Sequence, residues 1–316
     1  MSGMKIMWDV PQMPNTEDLT TFHRPIHLDR LGLRVETPSR SPLDIILSLS
    51  LFSSITVLDI YTSYLEDVPQ DLATLAAHPS LSTETPYFPT WLRVSSIRFS
   101  FANYTPFWLS LMTNTASMET ITDVDVACMT RVQIEALGAF LDIVGPRIRG
   151  ITVDIIEWMQ QWSPLNTNFD DLQAFNLPAC ANLTNLAIRI FITPYDSRRN
   201  ADMFVAAMTL LSLTSATVWT VTLEILLDRL NEARRDFRQY LHHVRGSLTT
   251  EFTRLQSEIR RKGGVRKLCI RWGNLRRSIQ LGKAAEEQLC SIARFQLSEL
   301  DADQILHFAS IGDQGA

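Results

Sequence analysis

Apolar and polar residues alternate in seven short segments of the chain, and each segment is rich in β-branched or aromatic residues. This alternation puts the apolar side chains on one face of an extended strand, so it predicts seven half-buried β-strands. The predicted strands are Ile55–Ile60, Val94–Phe99, Ile121–Val126, Ile151–Ile155, Leu186–Ile190, Val221–Ile225 and Leu268–Trp272.

Three of the segments between these strands have the apolar spacing of a helix instead. They are Pro106–Met112, Val132–Val144 and Asp202–Leu211, and the second is followed by Gly145 and Pro146, which stop a helix. Strands that alternate with helices are typical of a parallel sheet, because parallel neighbours need a crossover connection. The pattern therefore predicts an α/β fold with a parallel sheet and helical crossovers.

A longer helical pattern runs from Leu230 to Ile259, where apolar residues follow one another at steps of three and four. One amphipathic helix over about residues 228–262 explains this stripe, and Gly263–Gly264 ends it. We expect an insertion that packs on the rest of the fold. A helix that binds a partner or a second copy is the alternative.

The spacing of the predicted strands distinguishes two α/β architectures. Ile151, Leu186 and Val221 are 35 residues apart, whereas Val124 and Ile151 are 27 apart. Leucine-rich repeats have periods of about 20–29 residues, so these units resemble irregular repeats of that kind. We favour an irregular leucine-rich-repeat-like solenoid over a doubly wound sheet. It forms a single domain over residues 41–316, and the order of residues 1–40 is left open.

Composition narrows the functional classes. Hydrophobic residues make up 46% of the 316 residues and the net charge is −5, which favours a folded core and argues against a nucleic-acid binder by overall charge. The four cysteines are far apart, and the N-terminus lacks a signal-peptide pattern. We therefore expect a cytoplasmic or nuclear protein with no disulfide framework, no metal and no membrane span.

Positive charge is concentrated near the C-terminus. The segment from Arg254 to Lys283 contains ten Lys or Arg residues and a single acid, Glu258. Such a run favours a docking patch for an acidic partner, and an interleaved aromatic residue would allow stacking on bases. The candidate partner-binding residues are Arg260, Arg261, Lys262, Arg266, Lys267, Arg271, Trp272, Arg276 and Arg277.

Candidate catalytic chemistry is sparse. No phosphate loop, dinucleotide-binding glycine motif or nucleophile elbow occurs in the sequence. Asp123 and Asp125 alternate with valines, which is typical of the solvated face of a strand. His23, His27 and Asp29 lie close together, but Pro25 opposes a helical ligand pair. We therefore expect no enzyme, no catalytic residues and no cofactor.

Two segments carry a resemblance to a known family. Leu183, Leu186 and Ile188 form an L-x-x-L-x-I pattern, and Val221, Leu223 and Ile225 form V-x-L-x-I after a small-residue turn. This cadence, over about residues 45–275, resembles the leucine-rich-repeat-like region of the large F-box protein families of mushroom-forming fungi. The resemblance implies substrate recognition for a ubiquitin ligase. The F-box itself is not found, and the nearest stretch is residues 41–49.

The sequence thus predicts a protein–protein interaction module, related to the substrate-recognition domains of F-box receptors but lacking a recognisable box. Its expected contacts are the outward-facing strand residues and the basic run, and a ubiquitin-ligase adaptor is a candidate partner. Two alternatives stay open. One is an enzyme on a doubly wound sheet, and the other is a nucleic-acid or polyanion binder through residues 254–283.

Overall fold

A computed structural model describes the fold of this chain. The described residues are 5–9, 26–35, 42–62, 79–84, 88–101, 104–127, 130–155, 169–194, 196–227, 237–274 and 282–310. They form two compact units: unit 1 is Met1–Ile151 with Ala174–Asn182, and unit 2 is Thr152–Gln173 with Leu183–Ala316. The prediction of a single domain over residues 41–316 stays a prediction, and each unit is described by itself.

Unit 1 contains strands, short helices and one longer helix. Its strands are β1 (Lys5–Asp9), β2 (Ile26–Val35), β3 (Phe52–Thr62), β4 (Arg93–Phe101) and β5 (Asp123–Ala127). Its α-helices are α1 (Pro42–Leu49), α2 (Thr105–Thr113) and α3 (Arg131–Val144). Single 3₁₀ turns lie at Pro79–Leu81, Ala116–Glu119, Gly145–Arg147 and Leu177–Ala179.

Unit 2 combines strands with longer helices. The division between the units falls within β6 (Gly150–Asp154), and β7 (Asn185–Ile192), β8 (Thr220–Leu227), β9 (Lys267–Asn274) and β10 (Leu306–Ser310) follow. The α-helices of unit 2 are α4 (Ser197–Leu213), α5 (Phe237–Lys262), α6 (Lys283–Gln296) and α7 (Ser298–Ala302). A further 3₁₀ helix, Phe169–Phe175, carries residues of both units.

Strand pairing is parallel and follows the order of the chain. In unit 1, β1 pairs with β2, β2 with β3, β3 with β4 and β4 with β5. In unit 2, β7 pairs with β8, β8 with β9 and β9 with β10. The α/β fold with parallel strands is therefore confirmed. A doubly wound sheet reverses its strand order at a switch point, and the described strands of neither unit contain such a reversal.

A buried triplet of apolar residues recurs at most strands. The second residue of each triplet lies three positions after the first, and the third lies two positions later. All members are at most 6% exposed. The triplets in unit 1 are Ile55–Leu58–Ile60, Val94–Ile97–Phe99 and Ile121–Val124–Val126, and those in unit 2 are Leu183–Leu186–Ile188, Val218–Val221–Leu223 and Val265–Leu268–Ile270.

The triplets define the two faces of the strands. Register pairs Leu58 with Ile97, and Ile97 with Val124, so the buried residues of unit 1 lie side by side. Register pairs the unit 2 residues in the same way along β7, β8 and β9. We call this buried side of each unit the inner face. Successive residues of a strand point to opposite faces. The outer face therefore carries the residue between the second and third triplet members and the residue that follows the third.

All seven predicted strands are confirmed as β3 to β9, with ends that differ by at most a few residues. The three predicted helices are confirmed as α2, α3 and α4. Strands β1, β2 and β10 and helices α1, α6 and α7 were not predicted. Both β1 and β2 lie within residues 1–40, for which the sequence predicted no element.

Local sequence explains the start and position of α3. Thr130 accepts a hydrogen bond from the Gln133 backbone, and the Gln133 side chain accepts one from the Thr130 backbone, which together form a capping box. Gly138 lies in the middle of this helix, where a helix normally disfavours glycine. A Cβ atom there would lie 2.0 Å from the carbonyl oxygen of Ala174, so the close approach requires glycine.

The predicted amphipathic helix is confirmed from Phe237 onward as α5, and residues 228–236 lie outside the described residues. It continues through Gly246 and ends at Lys262, and the next residue, Gly263, has a φ of 69°. Its stripe residues Val244, Leu248 and Phe252 are fully buried. The Phe252 ring meets the rings of Phe204 in α4 and Trp272 in β9 edge to face. Helix α5 is therefore packed into unit 2.

Candidate partner-binding surface

The basic run begins at the C-terminal end of α5, where ion pairs within unit 2 hold two of its arginines. Arg260 lies 2.7 Å from a carboxylate oxygen of Glu299 and 2.9 Å from one of Asp303. Arg261 donates two hydrogen bonds to Glu258, three residues earlier on the same helix. These cations already have carboxylate partners, so they contribute little free positive charge to a docking surface.

Lys262 is held by the backbone of the neighbouring helix. Its ammonium donates a hydrogen bond of 2.7 Å to the carbonyl oxygen of Thr214, the residue that caps the C-terminus of α4. A cation at the end of a helix is favourable because it faces the negative end of the helix dipole. Partial burial lowers the pKa of the Lys262 ammonium. Lys262 therefore links α5 to α4.

The aromatic partner of the basic run is Trp219. The Arg266 guanidinium lies 5.3 Å from the centre of the Trp219 ring, a cation–π contact. The Trp219 carbonyl accepts backbone hydrogen bonds from Arg266 and Lys267. Trp219 is 53% exposed. Arg266 and Trp219 thus form an exposed cation–aromatic pair at the start of β8.

Trp272, the aromatic residue that the sequence placed in this patch, lies on the other side of β9. It is 2% exposed and packs against Phe252 on the inner face. Trp219 was missed because it precedes the predicted strand. The sequence did contain a signal that Trp219 is exposed. Val218 and Val221 are the first two members of a buried triplet, and Trp219 lies between them without being a member. Arg276 and Arg277 lie outside the described residues.

The outer face of unit 2 carries a row of charges that crosses three strands. Register places Arg189, Glu224 and Arg271 side by side on β7, β8 and β9. Arg189 Nε lies 2.6 Å from one Glu224 oxygen, and an Arg271 terminal nitrogen lies 3.1 Å from the other. The side chains are 18%, 9% and 21% exposed, in that order. We call these residues the Arg–Glu–Arg row.

The outer face of unit 1 carries a row of the opposite sign. Register places Asp59, Arg98 and Asp125 side by side on β3, β4 and β5, which we call the Asp–Arg–Asp row. Asp59 is only 2% exposed, and its carboxylate forms an ion pair with Arg30 of β2. The hydrogen bond that Arg30 donates to Asp59 within this ion pair raises the pKa of the Arg30 guanidinium. Ion pairs between neighbouring strands therefore occur on the outer face of each unit, at Asp59 in unit 1 and at Glu224 in unit 2.

Asp123, Asp125 and His27, which the sequence offered as candidate catalytic or metal-binding residues, lie on strands and do not form a ligand cluster among the described residues. Asp123 and Asp125 project from the face opposite the buried Val124 and Val126, as predicted. Asp123 accepts a hydrogen bond of 2.6 Å from the Thr122 hydroxyl. His27 Nδ1 lies 2.6 Å from the Ser54 hydroxyl, and His23 lies outside the described residues. In the described ranges no three His, Cys, Asp or Glu residues group as metal ligands.

The described cysteines are buried thiols. Burial raises the pKa of Cys180 to about 12 and that of Cys290 to about 11. A thiol with so high a pKa carries almost no thiolate at neutral pH, and the thiolate is the nucleophile. Neither residue is therefore suited to covalent catalysis. Both contribute to the hydrophobic cores instead.

Comparison of the chain with protein-family models, curated proteins and solved structures finds no match. In the part of the chain that the structure describes, no helix combines the length and the apolar character that a membrane crossing needs.

Proposed function

We propose that the chain is an irregular leucine-rich-repeat-like module that binds another protein through the outer faces of its strands. The observation that carries this proposal is the buried triplet, which recurs with the same spacing in both units. Its L-x-x-L-x-L form is the core of the leucine-rich-repeat consensus. Six buried triplets support this architecture more strongly than the two patterns recognised in the sequence.

Strand order gives a second argument. Within each unit the parallel strands follow one another in chain order, as repeats do when each packs only on its neighbours. Crossovers between parallel strands are almost always right-handed, so a constant direction of winding sends successive connections to the same face. The opposite face is then left for a ligand. This arrangement supports a repeat module over an enzyme built at a switch point.

Chemistry on the outer face fits binding better than catalysis. Arg189, Glu224 and Arg271 are paired across strands in the Arg–Glu–Arg row, which holds their charges in fixed positions. Fixed charges recognise a complementary surface without a large cost in side-chain order. The basic run contributes less to polyanion binding than its composition suggested, because Arg260, Arg261 and Lys262 have partners within unit 2.

We further propose that the partner is the substrate of a ubiquitin ligase, which rests on the resemblance to F-box receptors. The stretch nearest to an F-box forms α1, and its residues Ile45, Ile46 and Leu49 are fully buried. A helix that uses its apolar side chains inside its own unit cannot offer them to an adaptor. Recruitment of the ligase would then depend on another part of the protein.

Affinity purification of the tagged chain from extract of its source cells, followed by mass spectrometry, tests both proposals. The wild type is compared with Lys267→Glu on the outer face and with Arg245→Glu on the exposed side of α5, which makes the same charge change. We expect a defined set of proteins with the wild type and Arg245→Glu, and reduced recovery with Lys267→Glu.

The composition of the recovered set decides between the proposals. The cullin-ligase adaptor together with a client protein would support the ubiquitin-ligase role. Clients without the adaptor would support a binding module of another purpose. If both variants recover the same proteins as the wild type, in the same amounts, the outer face of unit 2 is not the binding surface.

A further inference from the structure

Unit 2 carries more positive than negative charge on its outer face. The outer positions of β7, β8 and β9 include Arg189, Lys267 and Arg271 but a single acid, Glu224. Asp154 at the end of β6 adds a second acid and leaves the balance positive. A ligand that complements this face is therefore an anion.

Arg271 has hydrogen-bonding capacity to spare. A guanidinium offers five N–H donors, and the contact between Arg271 and Glu224 uses one terminal nitrogen. Its Nε is buried and has no hydrogen-bond partner among the described residues. A buried donor without an acceptor is costly, so turning the Arg271 side chain, which is 21% exposed, to bring this N–H to an incoming oxygen removes that cost.

Lys267 provides a second cationic position on the same strand. Its backbone N–H is hydrogen-bonded to the Trp219 carbonyl, which fixes the start of β9. Its side chain is exposed, and within the described ranges the ammonium has no ion-pair partner. Lys267 and Arg271 share the outer face, and four residues of a strand separate them by about 13 Å. Between them lies the small residue Cys269, level with Thr222 on β8.

We propose that the outer face of unit 2 binds an acidic, extended peptide segment of the partner, with one carboxylate at Lys267 and another between Arg271 and Arg189. The inference rests on the proposed function and names the chemistry of the partner. An extended peptide has the same rise per residue as β9, so acids four residues apart match the two cationic positions. Cys269 between them and Thr222 beside it are small and only 6% and 8% exposed, so they form a low floor below the longer Lys267 and Arg271 side chains.

Glu224 makes the proposal distinguishable from a purely structural role. Its carboxylate occupies both arginines in the free protein and competes with the carboxylate of the ligand. Glu224→Gln removes this negative charge while keeping the shape of the side chain. The variant therefore binds an acidic peptide more tightly. A network that served only stability would give weaker binding or none, because the strands would lose order.

Fluorescence anisotropy with the full chain tests the proposal. The probe is a fluorescein-labelled peptide in which Glu alternates with Ser. The controls are the same peptide with Lys in place of Glu and a single-stranded DNA oligonucleotide of equal charge. We expect saturable binding of the acidic peptide, no binding of the basic one, and weaker binding of the DNA.

Three variants then locate the site. Lys267→Glu weakens binding of the acidic peptide by about tenfold or more, and Glu224→Gln strengthens it by about fivefold. Arg245→Glu, an equal charge change on α5, alters the affinity by less than about twofold because the position is outside the site. Circular dichroism of each variant confirms that it is folded.

The contrary results are equally definite. Absence of binding to the acidic peptide overturns the proposal, as does equal weakening by Lys267→Glu and Arg245→Glu. Tighter binding of DNA overturns it in favour of a polyanion binder. The affinity purification does not depend on an acidic probe. If it recovers a partner with the wild type and loses that partner with Lys267→Glu, the proposed function stands even when the acidic peptide does not bind.

Discussion

The two units carry opposite charge patterns on the same kind of scaffold. In unit 1 the position between the second and third residues of each triplet carries Asp59, Arg98 or Asp125. In unit 2 the same position carries small residues. The charges of unit 2 lie two residues further along, in the Arg–Glu–Arg row. The shared triplets build the strands, and the residues between them are free to differ. The difference shows which positions are set by folding and which are available for recognition.

The two units also differ in how exposed the arginines are that pair with their buried carboxylates, Glu224 in unit 2 and Asp59 in unit 1. Glu224 lies between two arginines that are mostly shielded, whereas Asp59 pairs with Arg30, whose side chain is 36% exposed. An arginine that loses its partner is costly when it is buried, and much less so when it reaches water. The same kind of ion pair is therefore more important to unit 2 than to unit 1.

The largest predicted effect follows from this asymmetry. We expect Glu224→Ala to lower the free energy of unfolding by about 3–5 kcal/mol, because two shielded guanidinium groups are left facing each other. Asp59→Ala costs less, about 1–3 kcal/mol, since Arg30 can turn toward solvent. Urea titration of both variants measures the difference. Equal losses, or a larger loss for Asp59→Ala, would contradict the account of the two rows.

Two helix glycines give the next largest effect. We expect Gly138→Ala in α3 to destabilise by about 1–3 kcal/mol, because its Cβ would overlap the Ala174 carbonyl oxygen. Gly246→Ala in α5 meets no atom within 4 Å, so higher helix propensity stabilises it by about 0.5–1 kcal/mol. Thermal unfolding of both variants checks the opposite signs. Stabilisation by Gly138→Ala would show that α3 can shift away from Ala174.

The smallest effect concerns Glu251, a buried carboxylate on α5 whose partner Arg254 is 54% exposed. Burial raises the pKa of Glu251 above its ordinary value. The folded protein therefore disfavours the charged form of Glu251. This lowers the free energy of unfolding at pH values above the pKa of Glu251 in the folded state, and the effect is absent at pH values below its pKa in the unfolded state.

Glu251→Gln should therefore stabilise the protein at neutral pH, and this gain should shrink as the pH falls toward the ordinary pKa of a glutamate. Unfolding measured as a function of pH tests the sign. Destabilisation by Glu251→Gln at neutral pH would mean that the pair with Arg254 outweighs the cost of burial.

Much of the fold follows from local sequence. Seven strands and four helices, the long α5 among them, were predicted because period-two alternation and helical spacing are properties of neighbouring residues. Strand β1 was missed because its apolar residues Ile6, Met7 and Trp8 are consecutive and do not alternate with polar ones, and β10 because only Leu306 and Phe308 alternate. Helix α6 was missed because its buried residues are few, with Leu289, Cys290 and Ala293 among them.

The candidate site was less predictable, because its partners are distant in sequence. Arg271 was named because it belongs to the basic run, yet its ion-pair partner Glu224 lies 47 residues earlier. Arg260 was named as a partner-binding residue of the basic run, but the fold brings Glu299 and Asp303 next to it. Periodicity shows which face of a strand is buried. It does not show which residue of the next strand lies alongside.

The most direct test of the central claim is to map where the partner touches the molecule. A photo-reactive amino acid is placed at Lys267 on the outer face of unit 2, at Asp123 on the outer face of unit 1, and at Arg245 on α5, all exposed positions. Each variant is irradiated in extract of the source cells. The account predicts a discrete crosslinked partner from the outer-face positions, most strongly from Lys267, and none from Arg245. Crosslinking from Arg245 alone would contradict the account and would assign binding to the helical side.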